Sequence, residues 1–274
     1  MKKIGNNLFL VILIVVSLIT SNNIVEANDF NLLRVDSVSE EVILGLSLDD
    51  YEKCYQKLVE YKSNNPNSSN KEMDKYSSVL LNQAYKEKEA PLKGYYDDLV
   101  ASTTGMTQAE LKLAKQYPSD LIVVYSSSNI ANNQAKARYN SGAYLGNQDA
   151  FRHAAWNAVI LCRFYALNYG DFEACRVRTK LWTDAHENGA YDPALSASQN
   201  SADKNMDLIN NAAGRAAAES TYTSYTQALT KVQEYVDNGN CFRIKTDAQM
   251  TYSYDQMKAI PNWELRRTNT VGKK

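Results

Sequence analysis

The chain carries two histidines, His153 and His186, and each lies among short polar and charged residues. The first stretch reads DAFRHAAWNAVI from Asp149 and the second WTDAHENGA from Trp182. A third, NMDLINNAAGRAAAES from Asn205, has the same character without a histidine. Imidazoles and carboxylates supplied by separate segments are the donor set of a site for Zn²⁺ or another divalent cation. They also suit an acid–base pair that needs no metal. On the metal reading the ligands are His153, His186 and Asp207. Asp149 is then a fourth ligand or a carboxylate that orients an imidazole. Glu187, beside a ligand, is the candidate general base, and Arg152 and Asn211 would hold an anionic substrate or a developing oxyanion.

Without metal, His153 acts as the base while Asp149 or Asp207 orients its ring. Phosphodiester, phospholipid and cell-wall bonds are all compatible substrates, small or polymeric. No G-x-S-x-G or H-E-x-x-H motif is present, so neither a serine hydrolase nor a common zinc protease is indicated. A non-enzymatic alternative is an exported helical binding module whose buried polar network fixes helix register, with 19 tyrosines available for contact surfaces. Access separates these readings. A cleft beside NSGAYLGN or NGAYDPALSASQN favours chemistry, and a sealed network favours structure.

The elements that must position these residues read as helices. On a helical wheel Asp149, Arg152, His153, Trp156 and Asn157 share one face, opposite Ala150, Phe151, Ala154, Ala155, Ala158, Val159 and Leu161. Asp, His and Asn are poor helix formers, unlike the Lys, Glu and Gln of an ordinary solvated face, so a buried or functional stripe is expected. Asp171 is placed to cap the helix that ends near His186 and Glu187. Asp203, Asp207, Asn210 and Asn211 recur at helical spacing, and Gly214 in the same run predicts close approach of another backbone. Elsewhere Ser47 starts a helix, Thr107 with Glu110 forms a capping box, and LIVVY from Leu121 lies in a helix because no strand partners of like character occur. Helices are expected at about 149–168, 171–187, 202–219 and 224–237.

The predicted architecture is all-α: a compact, bundle-like helical core at 107–240, an N-terminal helical extension at 28–106 and a C-terminal tail at 241–274. Residues 1–27 read as a secretory signal, with Lys2 and Lys3 before an apolar run and Val25-Glu26-Ala27 as its cleavage site. A secreted protein with no later membrane-spanning segment is the expectation. Four cysteines in such a compartment permit two disulfides in three connectivities, one of which ties Cys162 to Cys175 across the turn between two neighbouring helices and then joins Cys54 to Cys241. A net charge of −1 gives no support for a nucleic-acid-binding surface, and the basic end ELRRTNTVGKK reads as a solvated terminus.

The ordered blocks Asp-x-x-Arg-His-Ala-x-Trp, Ala-His-Glu and Met-Asp-Leu-x-Asn-Asn-x-x-Gly resemble those of an uncharacterised domain family of secreted bacterial proteins and toxin-like modules. The resemblance covers about residues 117–216. It implies a helical domain in which Asp149, Arg152, His153, Trp156, Asn157, His186, Glu187, Asp207, Asn210, Asn211 and Gly214 converge. Ala155 stands where many relatives carry an aromatic residue. The resemblance implies no particular reaction.

Overall fold

The computed structural model describes residues 38–89, 105–222 and 224–274. The leader-like segment and the stretch at 90–104 lie outside them. All described residues fall within one compact unit.

The fold is all-α, as the hydrophobic periodicity predicts. The helices are α1 (Glu40–Gly45), α2 (Leu48–Asn64), α3 (Asn70–Glu89), α4 (Gln108–Gln116), α5 (Pro118–Arg138), α6 (Asn147–Ala166), α7 (Phe172–Gly189), α8 (Ala197–Ala217), α9 (Tyr225–Asp237) and α10 (Tyr254–Lys258). Two short antiparallel strands, β1 (Phe242–Arg243) and β2 (Arg266–Arg267), pair near the C-terminus. Side-chain caps set many of the helix starts. Ser47 and Thr107 head capping boxes, and the Asp171 carboxylate accepts from the Ala174 N–H. Helix α8 starts at Ala197, earlier than the apolar pattern suggests, because Ser196 and Gln199 close a capping box of their own.

Helix α6 is the hub, with α5, α7, α8 and α9 packed around it. Its alanines keep the neighbouring axes close. A methyl at Gly214 of α8 would overlap the backbone carbonyl of Ala154, which accounts for the mid-helix glycine. LIVVY lies inside α5 and is entirely buried. Helices α2 and α3, assigned to the N-terminal extension, pack on α5 within the same core. The Arg163 guanidinium of α6 reaches Glu52 of α2 and lies over the Tyr55 ring.

Two expectations need correction. All four cysteines are free. Cys162 lies toward Tyr55 and Tyr222, whereas Cys175 lies toward Asp171 and Asp120, so the rotation of the two helices separates the thiols. Cys54 neighbours Tyr51 and Tyr76, while Cys241 neighbours Tyr139. The C-terminal segment is also more than a solvated tail. The Asn210 amide exchanges two hydrogen bonds with the Phe242 backbone, and the Asn147 amide donates to Asn269 Oδ1 and the Val271 carbonyl. A second small core joins Leu145, Ala202 and Met206 to Ile244 and Met257.

Helix α4 is pinned over the end of α7. Thr107 Oγ1 donates to the Ala185 carbonyl at 3.0 Å, and Gly189 leaves room for the Thr107 side chain. This puts fully buried Glu110 beside His186, with Oε2 3.0 Å from Nδ1, while Tyr125 donates to Glu110 Oε1 at 2.9 Å. Burial opposes the imidazolium, but the hydrogen bond and charge of Glu110 outweigh it and raise the His186 pKa above its ordinary value.

Two predictions follow from this packing. Gly214→Ala should lower unfolding stability by roughly 1–3 kcal/mol despite alanine's better helix propensity, because a backbone carbonyl cannot rotate away; urea denaturation checks it. A raised folded pKa means that the His186–Glu110 pair stabilises fully below the unfolded imidazole value of about 6.5, and this contribution fades as pH rises through the folded value. The melting temperature of the parent should therefore fall toward that of His186→Gln as pH rises from about 6 to 9. A constant gap across that range would refute the assignment.

Candidate functional site

Helix α6 enters the site from a tight turn. Leu145 has a left-handed backbone, Gly142 has a positive φ, and a side chain on Gly146 would strike the Gly142 backbone. Asp149 in the first turn of α6 fastens this loop, since its Oδ2 accepts from the Leu145 N–H at 2.7 Å. Its Oδ1 is left facing inward, hydrogen-bonded to Arg152 Nη2 and 3.6 Å from His153 Nε2. His153 follows one turn later at 3% exposure. From α8, Asp207 Oδ1 approaches His153 Nε2 to 3.2 Å. From α7, Glu187 Oε1 faces Nδ1 on the other side of the ring at 3.5 Å.

The ring's proton can be placed by elimination. Arg152 Nη2 lies 2.7 Å from His153 Nε2, and a guanidinium can only donate. Nε2 therefore presents its lone pair to Arg152, Asp149 and Asp207, and Nδ1 carries the proton toward Glu187.

A polar chain stiffens the arrangement from behind. Asn211 Nδ2 donates to Glu187 Oε1 at 2.9 Å, and its Oδ1 accepts from Asn157 Nδ2 at 2.7 Å. Asn157 Oδ1 accepts from Thr183 Oγ1 at 3.1 Å and from Arg215 Nη1 at 2.6 Å. Asn157, Asn211 and Thr183 are fully buried, which explains why helix-disfavoured residues are retained in helix interiors.

Negative charge is concentrated here. Burial, followed by the charges of Asp149, Glu187 and Asp203, pushes the Asp207 carboxyl well above the ordinary range. Half-buried Asp203 is raised to about 7 by burial and by Asp149 and Glu187. Glu187 moves the other way: burial opposes its charge, but the His153 imidazole facing it, then His186 and the Asn211 amide, bring it to about 2. Two atoms of the cluster are buried without a hydrogen-bond partner, Asp207 Oδ1 and His153 Nδ1. Such atoms are costly to leave unpaired, and an unpartnered carboxylate oxygen beside an imidazole lone pair fits a cation. Among the described residues Asp149, His153 and Asp207 form a group able to hold a metal ion, with one donor atom from each lying within 4.8 Å of the others.

The sequence-predicted residues thus divide. Asp149, His153 and Asp207 come together. His186 does not join them: its Nδ1 is engaged by Glu110, and its ring stands edge-on to Trp156 at 5.2 Å. Glu187 is placed to orient the imidazole more directly than to take a proton from water. Asn211 is fully buried with its amide turned to Glu187 and Asn157, and it does not line the cavity. Arg152 is committed to Asp149 and His153, although its side chain remains 37% exposed. Sequence reasoning missed Glu110 as the partner of His186, since its capping-box role accounted for it, and it also missed Lys204, one helical turn before Asp207.

The cluster is not sealed. A cavity of about 390 Å³ is lined by Glu187, Asp203 and Asp207, by Lys204, and by residues of the loop after α7 such as Tyr191. That loop is NGAYDPALSASQN, one of the two segments at which the sequence points to a cleft. No helix among the described residues is long and apolar enough to cross a membrane.

No curated protein and no solved structure matches the chain. A family model described as a domain of unknown function (DUF6973) matches residues 111–240, which includes all three polar blocks and the hub helix α6, so this part of the chain is similar to that uncharacterised domain family.

Proposed function

We propose that the protein is a metal-assisted hydrolase in which Asp149, His153 and Asp207 hold a divalent cation, Zn²⁺ or a similar ion, beside the cavity. The observation that carries this reading is the convergence of these three buried donors, one with an orphaned oxygen, next to a cavity bordered by two of the neighbouring carboxylates. Glu187 supports it, because a carboxylate behind the non-ligating nitrogen is the usual partner of a metal-bound histidine. A cation held by three protein donors supplies Lewis acidity and lowers the pKa of water. The protein's own residues exclude bulk water from one side, fix the imidazole tautomer through Glu187 and Asn211, and hold Asp149 through Leu145. Action outside the cell, and the secreted, toxin-like character implied by the sequence, belong to this proposal.

One observation favours a metal-free alternative. The Arg152 guanidinium already bridges Asp149 Oδ1 and His153 Nε2, where a cation is called for. On the metal-assisted reading this side chain would have to give up Nε2 to the ion. On the alternative it is the permanent counter-charge of a polar core.

Metal analysis by mass spectrometry tests the proposal on protein purified without a metal-affinity tag and incubated with Zn²⁺ or Mn²⁺. About one equivalent is expected in the parent and in His186→Ala. His153→Ala and Asp207→Asn should lose it while remaining helical by circular dichroism. Arg152→Gln should keep the metal, and added Zn²⁺ should raise its melting temperature through mass action. Absence of metal from the parent, with Arg152→Gln merely destabilised, would sink the metal-assisted reading.

A further inference from the structure

We infer that the cavity receives the anionic group of a phosphate ester, with Lys204 as the residue that binds its charge; this rests on the metal-assisted reading above. The argument comes from which lining groups are free. Asp192 and Asn200 line the cavity but serve the loop. Asp192 Oδ1 accepts from the Ala194 N–H at 2.9 Å, and Oδ2 accepts from the Tyr254 hydroxyl. Asn200 Oδ1 accepts from the Asp192 N–H at 2.9 Å, and its Nδ2 donates to the Asp192 carbonyl at 2.9 Å. Glu187, Asp203 and Asp207 belong to the charged cluster. What remains is the Lys204 ammonium, which has no ion pair or hydrogen bond among the described residues, and the Tyr191 ring, 69% exposed.

Lys204 lies one helical turn before Asp207, so both project toward one stretch of the cavity. A ligand spanning them meets an ammonium at one end and, with the site loaded, a divalent cation at the other. That pair suits an anion with several oxygens. A planar carboxylate is best matched by an arginine fork, and no arginine among the described residues lines this cavity. A lysine point charge accepts a tetrahedral phosphoryl group from any direction. Tyr191 offers an aromatic face to the organic part of the ester. In the hydrolysis, the oxygen of water forms a new bond to phosphorus and the ester P–O bond breaks. One water proton ends on the departing alcohol, and the other is released or retained by the phosphate.

The test is titration of Zn²⁺-loaded protein with inorganic phosphate by calorimetry at low salt, comparing the parent with Lys204→Met and Lys204→Arg. A charge-assisted contact is worth about 1.5–3 kcal/mol, so Lys204→Met should weaken phosphate binding about tenfold or more, and Lys204→Arg should largely restore it. Hydrolysis of bis(4-nitrophenyl) phosphate and of phosphatidylglycerol micelles separates a soluble from a lipid phosphate source. The preferred substrate should show the loss in KM rather than in kcat for Lys204→Met. Equal phosphate affinity in the parent and Lys204→Met, with Zn²⁺ still bound to both, would overturn this inference and leave the metal site standing. Turnover of 4-nitrophenyl acetate without phosphate binding would do the same. Failure of the parent to retain Zn²⁺ would overturn both readings.

Discussion

Charge compensation in a confined space governs this molecule. Asp149, Asp203, Asp207 and Glu187 lie close enough to act on one another, and the permanent positive charge beside Asp149 and His153 comes from Arg152. Carboxylates brought together away from water repel, and burial adds to the cost of ionising them. The protein tolerates the arrangement because it is built on the hub helix of the fold. Helix α6 is enclosed by four neighbours, and the contact between Gly214 and Ala154 brings α8 near enough for Asp207 to reach His153. The loop turned by Gly142 and Leu145 then uses Asp149 as its anchor, so loop geometry and site geometry are fixed by one carboxylate.

The same constraint explains the buried amides. A solvent-facing network would keep long, flexible polar residues, but Asn157, Asn211 and Thr183 are short, fully enclosed and mutually hydrogen-bonded. Their effect is to hold Glu187 against the imidazole and thereby decide which ring nitrogen faces the carboxylates. Arg215 closes the far end of the chain on Asn157. The polar core and the proposed site are therefore one construction: the first supplies rigidity, and the second uses the lone pair that this rigidity exposes.

Much of this is legible in the sequence. The improbable polar stripe of α6 marks the face that carries Asp149 and His153, and Gly214 within a helical pattern announces a close backbone contact. Capping residues at Ser47, Thr107 and Asp171 place three helix starts. What escapes is set by rotation and long-range packing. Proximity of Glu187 to His186 in sequence suggests that both serve one centre, yet adjacent helical residues point about 100° apart, and only Glu187 turns toward His153. The partner of His186 is Glu110, whose one carboxylate both caps α4 and meets the imidazole, so its second role leaves no trace in the motif. Cys162 and Cys175 fail as a pair for the same reason, since each lies in a helix whose phase sets the direction of its thiol.

The central claim is that Asp149, His153 and Asp207 bind a divalent cation through the nitrogen opposite Glu187. A crystal structure of Zn²⁺-loaded protein, with anomalous data collected on both sides of the zinc edge, tests it most directly. The account predicts a zinc-specific peak about 2.0–2.2 Å from His153 Nε2 and from one oxygen each of Asp149 and Asp207, with Arg152 displaced from Nε2 and Nδ1 hydrogen-bonded to Glu187. A peak at His186, or no peak with Arg152 still bridging Asp149 and His153, would contradict it.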